Sequence, residues 1–368
     1  MGEKFRISDI FKKSKEEKKS SDYGIEFSRL KLEEKRGSQK QPAEEVNFSS
    51  AIRREEKEPK KETTERKERI SDSALYSEAV ALARKIYSNQ AKESDITSGV
   101  YSIVKRMIDL ISRNASEELL KSALAEYLQP EDYLYYHAVN VCIFSLHLGQ
   151  GLAYDRSRLV GLGVAAFLHD VGLSRYADII NQPKRLNLQE FNEVKQHTII
   201  GPQIISDIVK DVDINILEVM RQEHERFDGS GYLKSLKDDN IHEYAQIVGL
   251  CDVYEAMIHQ RPYRQRYSPL ETIKTILGNK NTFAHKLVKV LIENIGIFPV
   301  GIFVELNTKE IGEVLEGNAG LPLRPVVNIL FDSSGRKLKQ PRRINLADSP
   351  TVYISGTSSK PIEGHPLS

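Results

Sequence analysis

Cysteine is nearly missing: Cys142 and Cys251 are the only two in 368 residues. Two thiols cannot build a disulfide framework, so a stapled extracellular scaffold is excluded and a reducing cytosol is the natural setting. Long apolar runs are also lacking. The longest candidate, residues 159–168, stops at His169, short of the roughly 20 residues that a membrane-spanning helix needs. Charge begins at Glu3, and no apolar core of signal-peptide type follows. A cytoplasmic protein without membrane insertion of its own is expected. Nor does one sign of charge dominate. The 53 Lys and Arg against 52 Asp and Glu leave a net +1, so there is no bulk basic field to hold a nucleic-acid polymer. No basic stripe interleaved with aromatics and no repeat of fixed period appears. What remains is 40% apolar and 29% charged residues, enough for the core of one or two domains plus tails.

Residues 1–72 are dominated by Lys, Arg, Glu, Asp and Ser. Such a stretch buries too little apolar surface to offset its ordering entropy, and a disordered charged tail is expected. Within it, Phe5, Ile7, Ile10 and Phe11 suggest a short helix that docks a protein partner; an inert solvated tail is the plainer reading. Order is expected from Ser73. Ala74, Ala79, Val80, Ala83 and Ile86 recur at helical spacing, as do Val104, Met107, Ile108 and Ile111. Further helices are expected at 117–127, stopped by Pro130, and at 135–148 and 157–169. A capping box of Asn187 and Glu190 opens another that runs through His197. Four more are expected at 213–224, 243–259, 269–277 and 284–295. After Ile297 the pattern changes to short apolar runs at 302–306, 311–315 and 326–331, parted by Asn, Gly and Ser turns. Two further strands are expected at 343–346 and 352–354. The division is thus a tail at 1–72, a mainly α bundle at 73–297, a small β appendage at 298–356 and a loose end at 357–368.

Four of the nine histidines sit in a pattern with aspartates. His169-Asp170 ends the apolar stretch 159–168. His137 lies inside an apolar helix, His197 ends the capped helix, and His224 ends another between Glu223 and Glu225. Asp252 interrupts the apolar stretch 247–251. Each is a polar group in a setting that reads as buried, where it needs a partner or a metal. Any one of them reads more simply as a hydrogen-bonded core residue; five such positions together do not. Imidazoles with carboxylates suit a borderline divalent metal. Asp252 and Glu255 stand three apart on one helix face, which lets Glu255 orient a ligand or water or serve as a surface charge. His147, His242, His259, His285 and His365 have no place in the pattern, and Cys251 reads as small core packing.

These segments resemble the HD-GYP family, helical-bundle phosphodiesterases of bacteria that hydrolyse cyclic di-GMP. The motifs are Tyr135-Tyr136-His137, His169-Asp170-Val171-Gly172, His197 with Gly201, the run from His224 to Tyr232, and Asp252-Val253-Tyr254-Glu255 leading into Arg261-Pro262-Tyr263-Arg264. The resemblance covers residues 73–297, and the β appendage also looks like one found after this domain. It implies that His137, His169, Asp170, His197, His224 and Asp252 hold two divalent ions, iron or manganese, with Asp170 bridging and serving catalysis. It implies that Gly231 and Tyr232, in the loop that names the family, and Glu255 contact the substrate, and that Arg261 and Arg264 lie near its phosphates. The plainer reading of the arginines is ion pairs that fix the loop around Pro262.

Three departures stand out. Glu223 precedes His224 where the family has a second histidine; a carboxylate oxygen there still suits iron or manganese. Leu173 replaces the lysine that follows His-Asp-x-Gly and is thought to assist the leaving oxygen. Leu233 replaces the proline of the loop. Tyr133, four residues before His137, is not a carboxylate, which favours two metals over three. The leading expectation is a metal-dependent cyclic di-GMP phosphodiesterase, slowed by Leu173. A degenerate member acting as a sensor or scaffold is the alternative, and a general nucleotide phosphohydrolase is the third reading.

Overall fold

The computed structural model describes residues 61–113, 116–127, 132–261, 264–279, 281–318 and 320–358, with side chains from Ser73 onward. The expected tail up to residue 60, its docking patch, and the expected loose end from 359 lie outside the described residues. The first described helix, α1 (Lys61–Tyr87), already starts ahead of Ser73.

A π-turn (Asp95–Val100) leads directly into α2 (Tyr101–Ser112). Then come α3 (Glu117–Leu124), α4 (Tyr133–Gly151) and α5 (Arg156–Leu168). A 3-10 turn (Val171–Tyr176) and the short α6 (Ala177–Ile180) follow. The next helices are α7 (Leu188–Val194), α8 (His197–Ile208), α9 (Ile214–Gln222), α10 (Glu243–Ile258), α11 (Pro269–Gly278) and α12 (His285–Asn294).

The middle of the bundle is α4, and its sequence says why. It is apolar all round, so no face belongs to water, and it is buried from Tyr136 through Gly149 without a break. On one side α10 packs across it, with Tyr254 edge-on to Phe144 at 5.4 Å between ring centres. From α1, Tyr76 donates to Asn140 Oδ1 at 2.8 Å, and Leu75, Ala79, Ala83 and Ile86 enter the same core. Two of the polar interruptions of α4, His137 and Asn140, are as buried as their apolar neighbours.

The expected capped helix divides. The Asn187–Glu190 capping box opens α7, but α7 ends at Val194 and His197 opens α8 rather than closing the first helix. The reason is local. Val194's carbonyl is taken by the His197 ring at 2.6 Å, and Thr198 N reaches back only three residues, to Lys195 O.

Beyond the bundle, five antiparallel strands form one sheet in the order β4-β3-β2-β1-β5. They are β1 (Phe303–Leu306), β2 (Ile311–Glu316), β3 (Val326–Phe331), β4 (Lys337–Asn345) and β5 (Ile354–Ser358). Val304, Val314, Val327 and Ile329 point to one buried face, as the period of two requires. The fourth strand starts at Lys337, well before the expected 343, because the Lys337–Phe331 pairing extends it. The fifth runs through Thr357 and Ser358, paired to Val304 and Phe303, so ordered strand extends past residue 356. No helix of the described residues is long and apolar enough to cross a membrane.

Candidate metal centre

Five chain segments deliver the centre, each from the end or the interior of a helix. Asp155 caps α5 by accepting from Arg158 N at 2.9 Å, and the far end of that helix hands over to His169 and Asp170. The turn after them is pressed against the start of α8. A Cβ on Gly172 would collide with the His197 carbonyl, so only glycine lets His169-Asp170 and His197 stand side by side. Glu223 and His224 follow α9. His137 comes from α4 and Asp252 from α10, one on each of the two central helices.

Three of the imidazoles share one arrangement. Nδ1 of His169 lies 2.8 Å from Ala166 O, Nδ1 of His197 lies 2.6 Å from Val194 O, and Nδ1 of His137 pairs with Glu255. With a proton on each Nδ1 donating backwards, each Nε2 presents a lone pair forwards, the tautomer that metal-binding histidines use. Those Nε2 atoms converge on Asp170. Its Oδ2 lies 3.4 Å from both His137 and His169, and its Oδ1 lies 3.3 Å from His197. His224 Nε2 comes within 3.1 Å of His197 Nε2. The ligand atoms fall into two sets, His137, His169, Asp170 and Asp252 in one and Asp170, His197, Glu223 and His224 in the other. Within each set every atom lies within 4.8 Å of the rest, and Asp170 belongs to both.

The donor set fits divalent metal on its own terms. His169 Nε2, Asp170 Oδ1 and both oxygens of Glu223 are buried without a hydrogen-bond partner among the described residues. Unpaired buried groups of this kind are costly, and coordination removes the cost. Nitrogen and carboxylate oxygen without thiolate suit iron, manganese or zinc. The electrostatics agree. Burial works against the Asp170 carboxylate, yet His169 and His137 beside it hold it well below the usual range. Asp252 is drawn down to about 2 by His137 in spite of burial. Burial also opposes a charge on His169, but Glu223 and Asp170 lift it to about 9. Glu223 is pushed well up by burial and by the nearby Asp170 and Asp252. His224 is depressed to about 3 by burial and by His197. The cluster holds protons that a pair of dications would displace.

Tyr232 lies flat on His224, ring centres 4.7 Å apart, and its N–H donates to His224 O at 3.2 Å. Gly231 makes that possible, since a Cβ there would strike the backbone of residues 224–226. The buried Glu225 carboxylate closes the loop by accepting from Lys234 N at 2.6 Å and Leu236 N at 3.0 Å.

Three expected substrate contacts have partners within the chain. Glu255 has no exposed surface and stands behind His137, on the Nδ1 side of its ring. Its carboxylate also accepts from Tyr127, from Asn140 Nδ2 at 3.0 Å and from Arg261 at 3.1 Å, and pairs with His259 Nδ1 at 3.0 Å. Arg261 is 7% exposed and is held by that carboxylate over the Tyr133 ring. The Arg264 guanidinium donates to the carbonyls of Ala256, Met257 and Gln265. Both guanidiniums are thus engaged by neighbouring parts of the chain. Asn140, Tyr127 and His259 went unrecognised as supports of the centre. Two of them carried a signal: Asn140 is a polar residue three after His137 in an apolar helix, and His259 stands four after Glu255, one helical turn on. Leu173 is half-buried against the core.

Residues 107–285 match the family described as HD domain, and residues 303–360 match the KOW domain associated with HD domain. A cyclic di-GMP phosphodiesterase of Pseudomonas aeruginosa is 31% identical over 215 residues, 58% of this chain and 51% of that one. One from Borreliella burgdorferi is 27% identical over 202 residues, 54% and 53% of the two chains. A 3'3'-cGAMP-specific phosphodiesterase of Vibrio cholerae is 26% identical over 233 residues, 62% and 44%. The chain spans about half the length of the curated relatives it matches. Among solved structures, an HD-GYP protein from Bdellovibrio bacteriovorus superposes with a TM-score of 0.52 at 18% identity, over 62% of this chain and 73% of that one. That likeness concerns the fold.

Proposed function

We propose that this chain, whose residues 107–285 match the HD domain family, is a metal-dependent phosphodiesterase of the HD-GYP type acting on cyclic di-GMP at a binuclear centre. The observation that carries this is the double membership of Asp170, whose two oxygens face different sets of buried ligands. His137, His169, Asp170 and Asp252 would hold one ion; Asp170, His197, Glu223 and His224 would hold the other. Two divalent ions there, iron or manganese as the resemblance implies, would supply Lewis acidity and a water acidic enough to act near neutral pH. The residues do the rest. Asp170 sets the spacing, so that a phosphodiester can lie across both halves of the site. The Nδ1 contacts behind the three histidines fix the rings, so no reorganisation is needed as charge develops. Tyr232 walls the His224 side.

A sensor or scaffold role is the second reading, and Leu173 favours it: an apolar side chain stands where a cation would assist the departing oxygen. The deciding experiment is metal analysis of anaerobically purified protein together with turnover of cyclic di-GMP on the same sample. Two ions per chain and measurable hydrolysis are expected. Two ions with binding but no hydrolysis would establish the sensor. Fewer than one ion per chain would overturn the binuclear reading.

A further inference from the structure

A phosphodiester is an anion, and a cation beside the metals strengthens its binding. Of the cations on the segments that lead to and from the centre, most are committed. Arg261 is bound to Glu255, Arg264 to three carbonyls, and Arg226 to the carbonyls of Glu223 and Glu225, both at 2.9 Å. Leu173 carries no charge.

Lys195 differs from all of these. It stands in the two-residue link between α7 and α8, two positions before His197. Its ammonium lies 4.4 Å from the centre of the Phe191 ring and 4.9 Å from that of Tyr232. The Tyr232 ring is in turn stacked on His224. Among the described residues no carboxylate partners Lys195. It is half-buried, and Phe191 is 41% exposed, so the ammonium rests where solvent reaches it, beside the ring that stacks on His224. A ring face holds an ammonium weakly at such a place, and a charge-assisted bond to a phosphate oxygen is stronger. The long, flexible stem lets the ammonium exchange one for the other without moving either helix.

We infer that Lys195 is the cation that meets a phosphodiester oxygen of the substrate, reaching it from the link between α7 and α8. This rests on the phosphodiesterase reading above. It makes Lys195 a substrate-binding residue and Phe191 and Tyr232 the clasp that stores it beside the centre.

The test compares the unaltered, metal-loaded protein with Lys195→Met and Lys195→Arg. Metal content, the KM and kcat for cyclic di-GMP, and the affinity for inorganic phosphate on the manganese-loaded protein are measured for each. Lys195→Met should keep its metal, raise KM about tenfold or more, and weaken phosphate by a similar factor, as loss of a charge-assisted contact does. Its kcat should change less than its KM, and Lys195→Arg should recover most of the loss. If Lys195→Met binds both ligands within twofold of the unaltered protein, or loses its metal, the inference is overturned. If the unaltered protein binds phosphate but neither binds nor turns over cyclic di-GMP, the functional reading fails on its own. The phosphate series then decides the Lys195 contact by the same criteria.

Discussion

Leu173 and Glu255 are single positions whose chemistry can be tested separately from the rest of the centre. A positioned general acid contributes about 10²–10⁴-fold in rate, and leucine can neither donate a proton nor stabilise developing charge. Leu173→Lys is therefore expected to raise the single-turnover rate on cyclic di-GMP while affinity stays within a few-fold. Metal content must be measured on the same preparation, because a new ammonium near the ligands can weaken them. No gain at full metal occupancy would mean that another group already serves the departing oxygen. Glu255 acts one step further back. Its carboxylate holds the Nδ1 side of His137 and, with it, Tyr127, Asn140, His259 and Arg261. Burial disfavours its charge, yet His137 and His259 beside it keep it well below the usual carboxylate range. Glu255→Gln should lower metal affinity about 10–100-fold, the usual effect of losing the partner behind a ligating histidine. It should also destabilise the fold, because the buried Arg261 loses its counter-charge. Metal titration beside a denaturation curve separates the two effects, and an unchanged metal affinity would show that His137 needs no such support.

At the scale of the element, α4 shows what a helix buried on every side demands. Besides His137 and Asn140, which are satisfied by Glu255, it carries His147, 9% exposed, with Nε2 unpartnered among the described residues. Burial depresses the His147 imidazole from 6.5 to about 4. A group depressed on folding leaves stability intact above its unfolded value. As pH falls from about 6.5 towards 4 the unfolded chain takes up a proton that the folded chain refuses, and stability is lost. The shift corresponds to roughly 3 kcal/mol by the end of that window. His147→Leu should flatten the stability profile between pH 6.5 and 4 relative to the unaltered protein, measured by denaturant unfolding at several pH values. Parallel profiles for the two proteins would place the acid sensitivity in other groups.

For the whole molecule, the boundary that matters lies inside α1. From Leu75 to Ile86 this helix supplies core residues, and Tyr76 reaches Asn140, which bonds the Glu255 carboxylate behind His137. Residues 1–60, by contrast, are charge-rich and apolar-poor, and a stretch of that composition has little to contribute to a core. Deleting residues 1–60 should leave melting temperature and metal content unchanged. Deleting residues 1–87 should abolish both, since it removes Leu75, Ala79, Ala83 and Ile86 from the bundle and the Tyr76 contact from Asn140. A shorter deletion that already costs metal would show that the tail takes part in the centre.

Much about this protein is settled along the chain. Helical spacing located the bundle, and turn residues with short apolar runs located the sheet, because those patterns depend on neighbours a few residues away. The polar interruptions at His137, His169-Asp170, Glu223-His224 and Asp252 marked the centre, because an isolated polar group in an apolar stretch must be explained whatever the fold. Tertiary structure alone decided the rest. It divided Asp170 between two ligand sets and put Glu255 behind a histidine. It also engaged Arg261 and Arg264 with neighbouring parts of the chain and brought Lys195 over the ring that covers His224. The physical reason is the choice of partner. A side chain's residue type and position in its helix state what it can bind, but which partner it meets depends on groups that folding brings up, some from other helices far along the chain, as between His137 and Glu255. No local pattern encodes that meeting.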